Sequence, residues 1–149
     1  MQNDASIHPT YADSFRCIGS ACEDTCCQGW NVPIDQATWE KYENLPQGTL
    51  NDQIRASLKV QPPPTNPTPA GSKPVFAIIQ MNSENVCPLL SNERLCSIQS
   101  ALGESFLSHA CAIYPRIVHS HAGIAEKALS LSCPEAARLV LLTPNLLAA

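Results

Sequence analysis

Eight cysteines in a chain of 149 residues are the side chains best equipped for chemistry here. Cys17, Cys22, Cys26 and Cys27 are packed as C-x4-C-x3-C-C, and Cys87, Cys96, Cys111 and Cys133 are spread as C-x8-C-x14-C-x21-C. A tight cluster with distant partners is the pattern by which a metal centre ties loops together. Soft thiolates select iron–sulfur clusters, zinc or copper(I). Four of them complete a [4Fe–4S] cluster or a tetrahedral zinc site. All eight are candidate ligands.

Two other readings of the same residues stay open. Eight is an even number, and a disulfide framework has 105 possible pairings. Plain buried thiols are the third reading. Between metals, zinc knuckles of the paired C-x2-C type are absent. So is the C-x3-C-x2-C arrangement of radical S-adenosylmethionine proteins, because Cys27 follows Cys26 directly. This leaves a [4Fe–4S] cluster as the leading expectation and zinc as the alternative. Cys133 precedes Pro134 and a helical stretch, so the positive end of that helix would favour its thiolate.

Other reactive side chains have ordinary explanations. His119 and His121 share a face if their segment is a strand, as ligands, a base or a solvent-exposed pair. Glu126, Glu135 and Arg138 suit ion pairs or helix ends. Tyr114-Pro115-Arg116 aims an arginine at an anionic group or merely shapes a turn.

The elements that must position these residues are short. Asp35 is a good N-cap for a helix, with Ile34 and Trp39 as a hydrophobic staple. Trp39, Tyr42 and Leu45 share its face, and Pro46 stops it. Thr49 and Asp52 resemble a capping box for a second helix carrying Leu50, Ile54 and Leu58. Prolines 62, 63, 64, 67, 69 and 74 mark residues 61–74 as a polyproline-like loop. Residues 75–81 read as an apolar strand. Cys87-Pro-Leu-Leu and Leu95-Cys96 fold back across the polar turn 91–94. Helical stretches follow at 98–102 and 106–113, broken near Gly103. Residues 116–121 and 128–132 pair as a hairpin around Gly123, with Leu129, Leu131 and Cys133 alternating onto one face. Pro134 opens a last helix, 135–142. The expected fold is a small, irregular, metal-stabilised α+β domain over residues 1–149, with several short helices and a hairpin or small sheet.

Composition narrows the function classes. A chain of this size buries roughly 68–70% of its unfolded surface. With 44% apolar but only 5% aromatic residues, its core is aliphatic and modest, which gives a metal a structural task. Net charge is −4 and the pI about 5.4. Nine scattered basic residues leave no phosphate-backbone footprint, so nucleic acid is not an expected partner. The first residues carry neither a basic nor an apolar leader segment, and no apolar run is long enough for a membrane span. The chain reads as cytoplasmic, where disulfides are rare, and this shifts the cysteines towards metal or redox chemistry.

Four blocks in series carry a family resemblance. Phe15-Arg-Cys-Ile-Gly-Ser-Ala-Cys-Glu-Asp-Thr-Cys-Cys-Gln-Gly-Trp30 is similar to the N-terminal signature of the flagellin lysine-N-methylase (FliB-like) family. So are Cys87-Pro-Leu-Leu with Leu95-Cys-Ser-Ile98, then Cys111-Ala-Ile-Tyr-Pro-Arg116, then Leu129-Ser-Leu-Ser-Cys-Pro-Glu-Ala-Ala-Arg-Leu139. The later blocks also resemble a broader cysteine-cluster family associated with iron–sulfur or zinc. The resemblance implies a bacterial methyltransferase that uses S-adenosylmethionine to methylate lysines of flagellin or another protein substrate. The residues themselves show no glycine-rich strand-to-helix loop for the donor. An electron-transfer or redox-sensing module and a zinc-stapled interaction domain are the competing functions.

Overall fold

Local chemistry accounts for most of the element boundaries. The computed structural model describes residues 6–7, 9–62, 74–121 and 124–144. Strand β1 (Ser6–Ile7) and helix α1 (Thr10–Ser14) lead to a 3-10 turn at Gly19–Ala21. Strand β2 (Val32–Ile34), helices α2 (Gln36–Glu43) and α3 (Thr49–Ser57), and strands β3 (Leu58–Val60) and β4 (Ala77–Ile79) follow. Helices α4 (Ser97–Leu102) and α5 (His109–Ile113) flank a 3-10 turn at Glu104–Phe106. Strands β5 (Arg116–His121) and β6 (Ile124–Leu129) and helix α6 (Pro134–Leu142) complete the order. The architecture is a small α+β one, as the sequence predicts.

The chain divides into two compact units, Thr25–Ala112 and a second made of Met1–Asp24 with Ile113–Ala149. In the Thr25–Ala112 unit, β4 is the centre of an antiparallel sheet ordered β2-β4-β3. Val32 and Leu58 both register with Ile79, and all three are buried. That shared face packs on Ile34, Tyr42, Ile54, Leu89 and Ile98. In the other unit, β6 pairs with β1 in parallel and with β5 antiparallel. Phe15, Leu129, Cys133 and Ala136 form its core.

Helix α2 begins as expected. The Asp35 carboxylate accepts the Thr38 amide at 2.8 Å, satisfying a donor that the helix leaves unpaired. Ile34 and Tyr42 are buried, Trp39 packs beside them, and the helix stops before Pro46. Helix α3 is where expected but is capped differently. Gly48 is its N-cap without a side-chain bond, and its carbonyl accepts the Asp52 amide at 3.0 Å. Thr49 is already helical, so the Thr49–Asp52 box does not form. Buried Asn51 secures the helix instead, donating to Leu45 and Pro46 carbonyls and accepting from Arg55. Leu58 opens β3 rather than extending the helical stripe.

The predicted apolar strand shortens to β4, and Leu90 bridges Cys96 across the turn at 91–94. Gly103, at φ +84°, ends α4 in a conformation that disfavours residues with a Cβ. The hairpin pairs Arg116 with Leu129 through to His121 with Ile124. Its second strand lies earlier than expected, because Ser130–Cys133 turns away before α6. Leu131 is consequently 56% exposed while Leu129 and Cys133 are buried, so the expected alternation fails. Residues 63–73 of the proline-rich loop, and Gly123, lie outside the described residues. No helix among the described residues is long and apolar enough to cross a membrane.

Candidate metal centre

The Thr25–Ala112 unit gathers Cys26, Cys27, Cys87, Cys96 and Cys111, drawn from four separated segments. The backbone explains how. Gln28 and Val86 form an antiparallel bridge, and the Cys87 amide donates to the Cys27 carbonyl at 2.8 Å. Gly29, at φ +84°, turns the chain so that its amide reaches the Asn85 carbonyl at 3.0 Å. This lays the Cys26–Cys27 segment along the segment entering Cys87. From there, the Leu90–Cys96 bridge and the Ser97 amide on the Leu89 carbonyl at 2.8 Å place Cys96 at the N-cap of α4. Helix α5 supplies Cys111, whose amide donates to Ser108 Oγ at 3.2 Å. Cys27, Cys96 and Cys111 pack against the core that contains buried Cys87.

The thiols sense one another. The Cys27 thiol is hydrogen-bonded to both Cys26 and Cys96. This bond, from Cys27, pulls the Cys26 thiol down to about 7 and the Cys96 thiol down to about 6. The Ile98 and Gln99 amides at the start of α4 pull Cys96 the same way without closing a cap hydrogen bond. Cys27, as the shared donor, is pushed strongly up. Burial raises Cys87, and raises Cys111 to about 11. Two thiols are thus biased towards thiolate, the form that binds soft metals, and three towards thiol.

Tyr42 belongs to this neighbourhood, although its spacing marks it only as a packing residue. Its hydroxyl donates to the Phe106 carbonyl at 2.8 Å. Burial first, then the fields of Cys111, Cys96 and Cys87, hold the phenol protonated well above its ordinary range. No sequence signal identifies such a residue, because a buried tyrosine on an amphipathic helix looks the same with or without thiols beneath it.

Cys17, Cys22 and Cys133 lie in the other unit. Exposed Cys17 accepts the Gly19 amide on its sulfur at 3.4 Å, and Cys22 closes the 3-10 turn. Cys133 is the N-cap of α6, with Pro134 at the first helical position, and its buried side chain forms no cap hydrogen bond. Nearby, Arg138 pairs with Glu23 at 2.6 Å and with Glu135. The Arg116 guanidinium lies 5.3 Å from the centre of the Phe15 ring, stacked rather than aimed at an anion. His119 is exposed on β5 opposite Glu126.

A metal needs more than sulfur within reach. Among the described residues, no group of three or more His, Cys, Asp or Glu side chains is placed as it stands to hold a metal ion. The donor chemistry nevertheless fits a thiolate-ligated centre: five thiols share one region, and two of them are biased towards the ligating form.

No family model matches the chain, and no solved structure matches it. Among curated proteins, flagellar biosynthetic protein FliU of Salmonella muenchen is 31% identical over 149 residues. That match covers 99% of this chain and 83% of FliU. The chain belongs to the FliU and lysine-N-methylase family. Lysine-N-methylases of Salmonella typhimurium and Salmonella choleraesuis are 31% and 33% identical over 153 residues. Those matches cover 99% of this chain but 35% of either methylase, so the chain spans about a third of their length.

Proposed function

We propose that this chain is a [4Fe–4S]-binding, cysteine-rich part of a protein-lysine N-methylase acting on flagellin, with S-adenosylmethionine as methyl donor. The observation that carries the cluster is the convergence of Cys26, Cys27, Cys87, Cys96 and Cys111 in one unit, with Cys27 hydrogen-bonded to two of the others. A zinc ion would need its sulfurs aimed at one point about 2.3 Å away. A cluster takes its thiolates on separate iron atoms, and the cysteine number together with the lack of paired C-x2-C knuckles favours it over zinc. Cys26 and Cys96 are the first candidates to ligate as thiolates, and two of Cys27, Cys87 and Cys111 supply the remaining donors. The cluster would ligate loops that the modest aliphatic core holds only through short elements. Support for methylation comes from the relatives named lysine-N-methylase. Flagellin as the substrate draws on the flagellar name of FliU.

The test is the metal content of anaerobically purified protein. Brown protein with iron and acid-labile sulfide in near-equal amounts is expected. Stoichiometric zinc without sulfide would replace the cluster with a structural zinc site. Transfer of labelled methyl from S-adenosylmethionine to flagellin lysines, compared with and without the cluster, tests the methylation.

A further inference from the structure

The Thr25–Ala112 unit also carries a cleft of about 510 Å³, bounded by α2 on one side and the Glu104–Ala112 segment on the other. Its walls are stitched together by consecutive residues. Lys41 Nζ donates to the Ser105 carbonyl at 2.7 Å, and the Tyr42 hydroxyl donates to the Phe106 carbonyl at 2.8 Å. The cleft is therefore shaped before any ligand arrives, as binding sites usually are.

Its lining has a definite charge balance. Asp35 and Glu104 contribute two carboxylates, of which Asp35 already accepts the Thr38 amide; His109 adds an imidazole, and Lys41 one ammonium that is engaged by the Ser105 carbonyl. Leu107, Ala37 and Ala112 add apolar surface between these polar groups. Carboxylates beside a short apolar wall suit a cation on a methylene stem, since such side chains bury the stem and keep the charged head among polar groups. Helix α5 borders both features, lining the cleft with Ala112 and supplying Cys111 to the thiol group.

Resting on the lysine-methylase reading above, we infer that this cleft holds the alkylammonium of the substrate lysine, with Asp35 and Glu104 as its counter-charges and Leu107 along its stem. The cleft, not the thiol group, then recognises the side chain to be modified.

The experiment is an amide-resolved NMR titration of the full chain with Nα-acetyl-lysine-N-methylamide, and with its norleucine counterpart, which lacks the charge. The lysine probe should shift the amides of Thr38, Glu104 and Ala112 saturably, and the norleucine probe should not. E104Q alters an exposed side chain, and D35N keeps an N-capping residue; each should weaken binding by about two- to fivefold, as loss of one near-surface charge partner predicts. Equal binding of norleucine, shifts confined to other residues, or wild-type affinity in both variants would overturn the inference. Iron and sulfide are measured on the same sample. Lysine binding by a cluster-free protein would support the cleft and sink the cluster, while a loaded protein that ignores lysine would sink the cleft alone.

Discussion

The Cys87 amide donates to the Cys27 carbonyl at 2.8 Å, so two cysteines far apart in sequence lie on adjoining backbone. Cys27 in turn touches Cys26 and Cys96 through its thiol. A backbone bond thus carries the register of the thiol group, and it would survive replacement of a sulfur by an oxygen. Serine substitution therefore tests a sulfur as a ligand without itself removing that backbone bond.

Single Cys-to-Ser replacements at 26 and 96 are expected to remove most of the bound iron, while Cys17→Ser retains it. Removing the metal from the unsubstituted protein should broaden or abolish the cooperative thermal transition, since binding free energy becomes folding free energy. Iron and sulfide assays with a calorimetric scan check both. Equal loss at Cys17 and Cys96 would mean that the Thr25–Ala112 thiols are not a separate ligand group.

Two caps make a contrasting pair. Asp35→Ala removes an oxygen that accepts the Thr38 amide and should cost about 1 kcal/mol. Thr49→Ala should change stability by less than about 0.5 kcal/mol, because Thr49 caps nothing and alanine is the better helix former. Urea midpoints compared at constant slope measure both. A larger loss at Thr49 would restore the capping box.

That pair shows how much was legible in the sequence. Asp35, the Ile34–Trp39–Tyr42 face, the break at Gly103 and the Pro134 helix start are local signals, and local chemistry decided them. Thr49–Asp52 carried the same type of signal, but Gly48 took the cap position and buried Asn51 supplied the anchoring bonds. The Leu129–Leu131–Cys133 alternation failed because the chain needed a turn between β6 and α6, which periodicity does not report. Spacing alone named eight cysteines without sorting them. The sorting depends on long-range bridges, Gln28 to Val86 and Leu90 to Cys96, that leave no periodic trace. The Asp35–Glu104 cleft is illegible for the same reason.

Tyr42→Phe isolates one polar bond under the thiol group. The phenol is 1% exposed and its hydroxyl donates to the Phe106 carbonyl. Phenylalanine keeps the ring's packing but leaves that carbonyl unpaired, a loss of about 1–3 kcal/mol. The urea midpoint should fall with an unchanged slope. An unchanged midpoint would show that water takes over the carbonyl, and that the 105–106 wall of the cleft is held by Lys41 alone.

The thiols also predict how the metal-free, reduced protein responds to pH. Cys26 and Cys96 lie at about 7 and about 6, below the ordinary 9.0, because each is in hydrogen-bond reach of the Cys27 thiol, whose one proton serves either of them. Thiolate attacks iodoacetamide and displaces iodide, so these two should be labelled near neutral pH while buried Cys111, raised to about 11, resists. For stability the sign follows from proton counting. A thiol depressed by folding contributes stability that is fully present above its unfolded value of 9.0 and is lost as pH falls through about 7 and about 6. Thiols raised by folding do the reverse: the contribution of Cys111 is present below 9.0 and lost as pH rises through about 11. Stability of the metal-free protein should therefore climb from about pH 6 to about pH 9 and fall beyond it. Urea midpoints across that range, with site-resolved mass spectrometry of the alkylated thiols, check the two halves together. Cys27→Ala should shift the labelling of both Cys26 and Cys96 to higher pH, because it removes their common donor. Labelling of all five thiols with one midpoint near 9 would dissolve the hydrogen-bonded group and, with it, the reason for two thiolates at neutral pH.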